Sequence, residues 1–325
     1  MMRIVADIGG TNARFALYHG NGNKKDRGRL APSGTLRAIS TYPTRGFDDF
    51  LSLIRAYMEE RALAYDSLTC IAVSIAATVK GNIAKGVNIP WIVDADSIRR
   101  AFPSAKVILL NDFEAAAWGV TGLTRKDLLS LGSAMPRADS NLCVLGAGTG
   151  LGEAIVVPCP HRHFHIVPTE GGHADFSPTS HLEWTLFNFL KARYGHVSVE
   201  RVVSGPGISD TYEFLTGKRL RPEDIADLAL MEKQDDAIKC IEIFIKNYAK
   251  EAGDLALKSL PYGGVYLAGG IAPKIREAFF TFNFKKNFED KGRMKAILAD
   301  IPVFICLHQY LGLLGAGIRS DHEPI

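Results

Sequence analysis

The chain has no apolar run long enough to cross a bilayer, no C-x-x-C pair and a net charge of only +3. The first absence excludes a membrane-spanning helix. The second excludes a zinc ribbon or a thioredoxin-type redox site. The third removes the electrostatic footprint of a nucleic-acid binder. The densest basic stretch, Lys24-Lys25-Asp26-Arg27, is flanked by glycines and reads as a solvated loop. The five cysteines, at 70, 143, 159, 240 and 306, are odd in number and scattered. Four lie in apolar or amphipathic segments, as reduced core thiols of a cytoplasmic protein do. One Arg and three apolar residues precede Asp7, so no signal peptide is expected. There is no G-x-x-x-x-G-K-[ST], which disfavours a Walker-type NTPase. A dinucleotide G-x-G-x-x-G would need glycine at Leu151 or at Glu153.

What is present is an ordinary globular balance, 47% hydrophobic and 22% charged, over 325 residues. That length favours two domains. Two stretches share one design. Ile4-Val5-Ala6 runs into Asp7-Ile8-Gly9-Gly10-Thr11-Asn12 and then Phe15-Ala16-Leu17. Leu142-Cys143-Val144-Leu145 runs into Gly146-Ala147-Gly148-Thr149-Gly150-Leu151-Gly152 and then Ala154-Ile155-Val156-Val157. Each reads as strand, glycine turn, strand. The glycines permit positive φ and let backbone N–H groups crowd toward an anion. Thr11 and Asn12 add side-chain donors, and Asp7 stands where it would hold a hydrated Mg²⁺. A capped Gly-rich hairpin explains either stretch alone. The repetition points to an internal duplication and two similar lobes.

Between these landmarks the periodicities predict further elements. Strands are expected at Leu36–Tyr42, Leu68–Ile75, Val107–Leu110, Val265–Ala268 and Val303–Leu307. Helical spacing marks Phe47 to Met58, Leu182 to Leu190 closed by Gly195, and Ile238 to Leu255. A short helix capped by Asp94 is expected before Phe102, and Ser204-Gly205-Pro206-Gly207 reads as a turn. Leu311–Arg319 reads as a helix whose Gly315, Ala316 and Gly317 permit close packing.

Several residues carry candidate chemistry. Asp112 follows a buried strand and precedes a helix, the place where open α/β sheets bind ligands. It also reads as an ordinary helix N-cap. Glu170-Gly171-Gly172-His173 forces a turn that points a carboxylate and an imidazole the same way. Glu200 reads as a helix-start carboxylate with Ser198 as its cap. Gly269-Gly270, between strand and helix, lets a flat ring approach the backbone. His161, His163 and His165 alternate beside Cys159. A metal site is conceivable there, but a solvent-facing strand is the better reading.

Taken together these motifs resemble the bacterial-type glucokinases, of the sugar kinase, heat-shock ATPase and actin superfamily. The resemblance rests on Asp7–Arg14, Asn111–Ala115, Gly146–Gly152, Glu170–Phe176, Gly195–Val202, Leu267–Ile271 and Gly312–Gly317, in the family's order. It implies an α/β, two-lobed actin-like ATPase (ribonuclease H-like) fold, with a central cleft and mixed sheets flanked by helices. Residues 1–122 plus 311–325 would form the small lobe and 123–310 the large one. It implies ATP- and Mg²⁺-dependent phosphorylation of the 6-hydroxyl of glucose in a cytoplasmic homodimer, with no nucleic-acid or membrane partner. Asp112 corresponds to the catalytic base. Asn111, Asp112, Glu170, His173, Glu200 and Asn88 correspond to sugar ligands. Asp7, Gly9, Gly10, Thr11 and Asn12, with Gly148, Thr149 and Gly150, would hold phosphates and, through Asp7, the metal. Gly269 and Gly270 would lie against adenosine.

The chain departs from the family pattern in lacking a proline after the fourth strand, where Ile75-Ala76-Ala77-Thr78 stands, and in a longer loop from His19 to Gly34. It also lacks the Cys-rich zinc motif and the N-terminal helix-turn-helix of the related repressor-type kinases. A kinase for another hexose or an N-acetylated amino sugar, and a catalytically silent sugar sensor, are the alternatives.

Overall fold

The computed structural model describes residues 2–20, 34–86, 88–160 and 163–322, so the Lys24–Arg27 stretch and His161 lie outside the described residues. The chain divides into two compact units, one of Met1–Asp127, Cys159–Ile166 and His308–Ile325, the other of Leu128–Pro158 and Val167–Leu307.

The first unit is built on strands β1 (Met2–Ile8), β2 (Asn12–Gly20), β3 (Gly34–Pro43), β4 (Leu68–Ile75) and β8 (Lys106–Asn111), in the order β3-β2-β1-β4-β8. β1 to β3 are antiparallel, whereas β4 and β8 join parallel to β1. Ile4, Val5, Ala6 and Ile8 are fully buried, as are Ile71, Ala72, Val73 and Ile75. Such unbroken apolar runs mark parallel strands covered on both faces.

Helix α1 (Phe50–Glu60) covers one face with Leu53, Ile54, Tyr57 and Met58. It starts after Phe47 because Asp49 and Ser52 form a capping box. A small sheet of β5 (Thr78–Lys80), β6 (Ile83–Lys85) and β7 (Ile92–Asp94) leads into α2 (Ala95–Ala101), which Asp94 caps as expected. Helix α3 (Asp112–Val120) follows β8, and α11 (Leu311–Asp321) packs directly on it. A Cβ added to Gly315 would lie 1.7 Å from the Ala115 carbonyl oxygen, so only glycine allows the approach. Arg3 and Tyr18 both bond the Asp321 carboxylate and fasten the far end of α11.

The second unit repeats the plan. Strands β9 (Leu128–Ser130), β10 (Leu142–Ala147), β11 (Leu151–Cys159), β12 (His163–Thr169), β13 (Gly264–Ala268) and β14 (Val303–Cys306) lie in the order β12-β11-β10-β13-β14-β9. Without the antiparallel addition β9, the chain-order pattern is 3-2-1-4-5 in both sheets. The duplication suspected from two glycine turns therefore extends to whole sheets.

Helices α4 (His181–Tyr194), α5 (Gly205–Thr216), α6 (Pro222–Leu230), α7 (Asp235–Ser259), α8 (Arg276–Thr281), α9 (Phe284–Glu289) and α10 (Lys295–Ala299) complete this unit. Gly195 ends α4 at φ 75°. Ser204-Gly205-Pro206-Gly207 is not a free turn. Ser204 accepts the Gly207 N–H as the N-cap of α5, with Pro206 in the first turn where its missing N–H does no harm. Long α7 is the core helix its periodicity predicts. Tyr248 on it donates to the Leu145 carbonyl and accepts the Ala147 N–H, each at 3.2 Å, fixing the end of β10.

Candidate active site

Strand register alone sets the first half of the site. Asp7 pairs with Ser74 across β1 and β4, and Ile75 pairs with Asn111 across β4 and β8. Asp7 and Asp112 therefore emerge at the same carboxyl edge of three parallel strands. Ser74, fully buried, donates to Asp7 Oδ1 at 2.9 Å, and Arg14 stands 3.9 Å from Oδ2. Burial raises the Asp7 pKa above the usual carboxylate value, against the lowering effects of Ser74 and Arg14. Gly312 at the start of α11 is needed here, because a Cβ would fall 2.9 Å from Asp7 Oδ1.

Asp112 is pushed from 3.8 to about 6, first by burial and second by the negative charge of Asp7. That change corresponds to roughly 3 kcal/mol. It outweighs the ~0.3–1 kcal/mol by which a helix N-terminus favours an anion. The N-cap of α3 is Asn111 rather than Asp112. Asn111 Oδ1 accepts the Phe113 N–H at 2.9 Å, and Asp112 Oδ1 accepts the same group at 3.0 Å. The Asn111 amide donates to the Ala77 carbonyl at 3.1 Å. That bond, with Ala76 N–H to Ile8 at 3.0 Å, holds the turn that lacks proline.

The first glycine turn is built for close approach, not for positive φ: neither Gly9 nor Gly10 is in the left-handed region. A Cβ on Gly10 would lie 3.0 Å from the Asn88 carbonyl oxygen. Thr44, which the sequence reading passed over, donates to the Gly9 carbonyl at 2.7 Å while its N–H donates to Thr11 at 3.0 Å. Thr11, Asn12 and Asn88 are exposed.

In the second unit the structure gathers Glu170, His173 and Glu200. His173 Nε2 lies 3.8 Å from Glu170, and its Nδ1 lies 4.0 Å from Glu200. Backbone bonds from Val199 to Ala174 and from Phe176 to Val197, at 2.9 and 3.0 Å, hold the two loops together. Glu200 also reaches the second glycine turn, accepting the Leu151 N–H at 2.8 Å. A Cβ on Gly150 would collide with that carboxylate at 2.5 Å. Glu200 sits in a single 3-10 turn, Val199–Arg201. Ser198 occupies the cap position without a side-chain bond.

Gly148 has nothing within 4 Å of a would-be Cβ, and the same holds for Gly270. Gly269 has both reasons to be glycine, φ 82° and the Ala147 carbonyl oxygen 2.5 Å from an added Cβ. Among the described residues no group of three or more His, Cys, Asp or Glu side chains forms a metal cluster.

Two copies of a 3-2-1-4-5 α/β sheet, each with a glycine turn between its first two strands, make the actin-like ATPase fold, and the solved structures it matches are sugar kinases. The crystal structure of a glucokinase from an Antarctic psychrotroph superposes at TM-score 0.86, with 27% identity and 99% of each chain covered. A ROK family glucokinase from Streptomyces griseus, solved with glucose and AMPPNP, shares the fold at TM-score 0.65 and 16% identity, covering 98% of each chain. The Glucokinase family model matches residues 4–323. A glucokinase of Klebsiella pneumoniae is 36% identical over 320 residues, which is 97% of this chain and 95% of its own. The chain belongs to the glucokinase family.

Proposed function

We propose that this protein transfers the γ-phosphoryl group of ATP to the 6-hydroxyl of glucose, with Asp112 as general base. The observation that carries the reading is the Asp112 carboxyl, at the strand edge beside Asp7 and poised at about 6. A base with that pKa is ionised at neutral pH yet basic enough to accept a proton as the new bond forms. Oδ1 is occupied by the Phe113 N–H, so Oδ2 takes the proton of the 6-hydroxyl. The hydroxyl oxygen then bonds to phosphorus, and the bond to ADP breaks.

Little covalent work is required of the protein in a loose phosphoryl transfer, so placement and charge neutralisation dominate. Gly9 to Asn12 and Gly148 to Gly150 offer backbone and side-chain donors to phosphate oxygens. The open space over Gly148 and Gly270 suits nucleotide lying on the backbone. Mg²⁺ fits Asp7: it is a hard oxygen ligand, and such an ion keeps several waters and binds through one or two carboxylates. When bound, it neutralises phosphate charge.

Glu170, His173 and Glu200 bond sugar hydroxyls, with Asn88 and Asn111 beside Asp112. Asn111 retains one oxygen lone pair for this, its amide serving the Ala77 carbonyl and Asp112. Charged acceptors make the stronger bonds, and a sugar with one inverted hydroxyl leaves a buried group unpaired. The working form is a cytoplasmic homodimer, which sedimentation tests. ADP release measured over a panel of hexoses and N-acetylated amino sugars tests the rest. Glucose is expected to give the highest kcat/KM. Preference for another sugar, or no sugar-stimulated turnover, overturns the assignment.

A further inference from the structure

Behind the Glu170–His173 turn lies a pair of acids that the proposed chemistry does not use. Glu153, on β11, is 2% exposed, and Glu251, on α7, is 6% exposed. The two carboxyls are close enough that each shifts the titration of the other. Two buried carboxylates that sense one another have no donor between them, and sharing one proton removes the repulsion. Oε1 of each receives no hydrogen bond from any other described residue. The Glu153 carboxyl also abuts the turn. A Cβ added to Gly171 would lie 2.0 Å from Glu153 Oε2. Thr169 Oγ1 donates to the Glu153 carbonyl at 3.2 Å and accepts the Gly171 N–H at 3.3 Å.

We propose that Glu153 is a positioning residue for the sugar-binding turn: a neutral carboxyl, its proton shared with Glu251, on which the Gly171 backbone rests. The proposal stands on the reading of Glu170 and His173 as sugar ligands. The surrounding charges say which acid keeps the proton. Burial raises Glu251 as well and Asp254 adds to that, but Lys258 and Lys291 beside it favour its ionised form. Burial and the Glu251 charge hold Glu153 up at about 8, against Lys258. The nearby Cys143 thiol and Tyr248 phenol are themselves raised by burial and stay neutral. Once the shared proton leaves, two buried like charges face each other without a donor. Relief requires the Glu153 carboxyl to move, and the Gly171 turn lies against it.

The sign of the stability effect follows. Folded Glu153 holds its proton from its ordinary 4.5 up to about 8, whereas the unfolded chain has lost it. The native state binds more protons in that window, so stability falls as pH rises through it. The test measures glucose KM and kcat, and Tm without sugar, from about pH 5 to about pH 9.5, bracketing that window. Wild type should lose Tm as pH rises toward 8 and should show a several-fold rise in KM above it, with kcat little changed. Glu153→Gln, a neutral isostere, should flatten both profiles and keep the neutral-pH KM.

An alkaline KM rise that survives in Glu153→Gln overturns the positioning role alone. A Tm profile unchanged by Glu153→Gln overturns the shared proton. An unchanged KM in Glu170→Gln overturns the sugar-site reading and the positioning role with it. Should Glu153→Gln fail to fold, Glu251→Gln removes the charge that helps hold Glu153 up, so the Tm loss should move to lower pH and the alkaline KM rise should weaken, and no change in either counts against the proposal.

Discussion

The two units share a strand order but not the residues at the carboxyl edges of their sheets. In the first, the pair across the two central parallel strands is Asp7 with Ser74, and the next strand runs into Asp112. In the second, the corresponding pair is Gly146 with Ala268, and the strand beyond ends at Cys306. Charge sits at one edge and is absent from the other, where Glu170 and Glu200 arrive on loops instead. A duplicated scaffold keeps what folding needs, namely buried apolar strands and a glycine turn, and is free to change the residues facing out of the edge. On the proposed function, the charged edge performs proton transfer and the uncharged one leaves room for nucleotide.

The sharpest way to break that contrast is Asp112→Ala. General-base assistance contributes about 10²–10⁴-fold, so kcat should fall by that factor while glucose still binds. Single-turnover kinetics with equilibrium glucose binding check it. Near-normal turnover would mean that the charged edge does not hold the base.

A paired substitution tests the two glycine turns. Gly10→Ala drives a methyl toward the Asn88 backbone, at 3.0 Å from its carbonyl oxygen. Overpacking of that kind destabilises by about 1–3 kcal/mol. Gly148→Ala meets nothing within 4 Å, and its stability should stay within about 0.5 kcal/mol of wild type. On the proposed nucleotide site the same methyl should raise the KM for ATP. Thermal melts and ATP titrations of both variants decide. Equal stability losses would mean that the turns are built alike.

Much of this was legible in the sequence wherever an apolar run ended in a polar residue. β4 is the Leu68–Ile75 run itself, and α7, α11 and the Gly195 stop of α4 follow from spacing and capping. Misreadings have local causes. Ser204-Gly205-Pro206-Gly207 has turn composition, yet the same residues open α5, because a capping serine and an early proline serve a helix start equally well. The role of glycine in the first turn was misjudged. Its use there is to let Asn88 approach, a tertiary contact that no local pattern displays. The nearness of Glu170, His173 and Glu200 was suggested by a turn and by resemblance. The Glu153–Glu251 contact joins residues 98 positions apart, from a strand and a helix whose periodicities mark them only as buried.

A smaller effect lies in the pH dependence. The base must be ionised, so kcat/KM should fall as pH drops below about 6. Asp7 contributes to that value by repulsion. Asp7→Asn removes the charge, lowers the Asp112 pKa and should carry the acid limb to lower pH, whatever it does to the absolute rate. A limb that stays in place would show that Asp7 and Asp112 do not sense one another.

Ser74→Ala should give the smallest change and the most specific one. Its hydroxyl bonds Asp7 Oδ1 at 2.9 Å and favours the ionised form. Losing such a bond is worth about 1 kcal/mol. Asp7 then holds its proton to higher pH, repels Asp112 less at a given pH, and the acid limb moves the same way as in Asp7→Asn but by less. The second unit has Ala268 at this register position, where Gly146 presents no carboxylate for a hydroxyl to serve. Adding a hydroxyl there, as Ala268→Ser, should leave the acid limb where it is. An equal movement in both variants would mean that the limb reports general loosening of the sheets, not the charged edge of one of them.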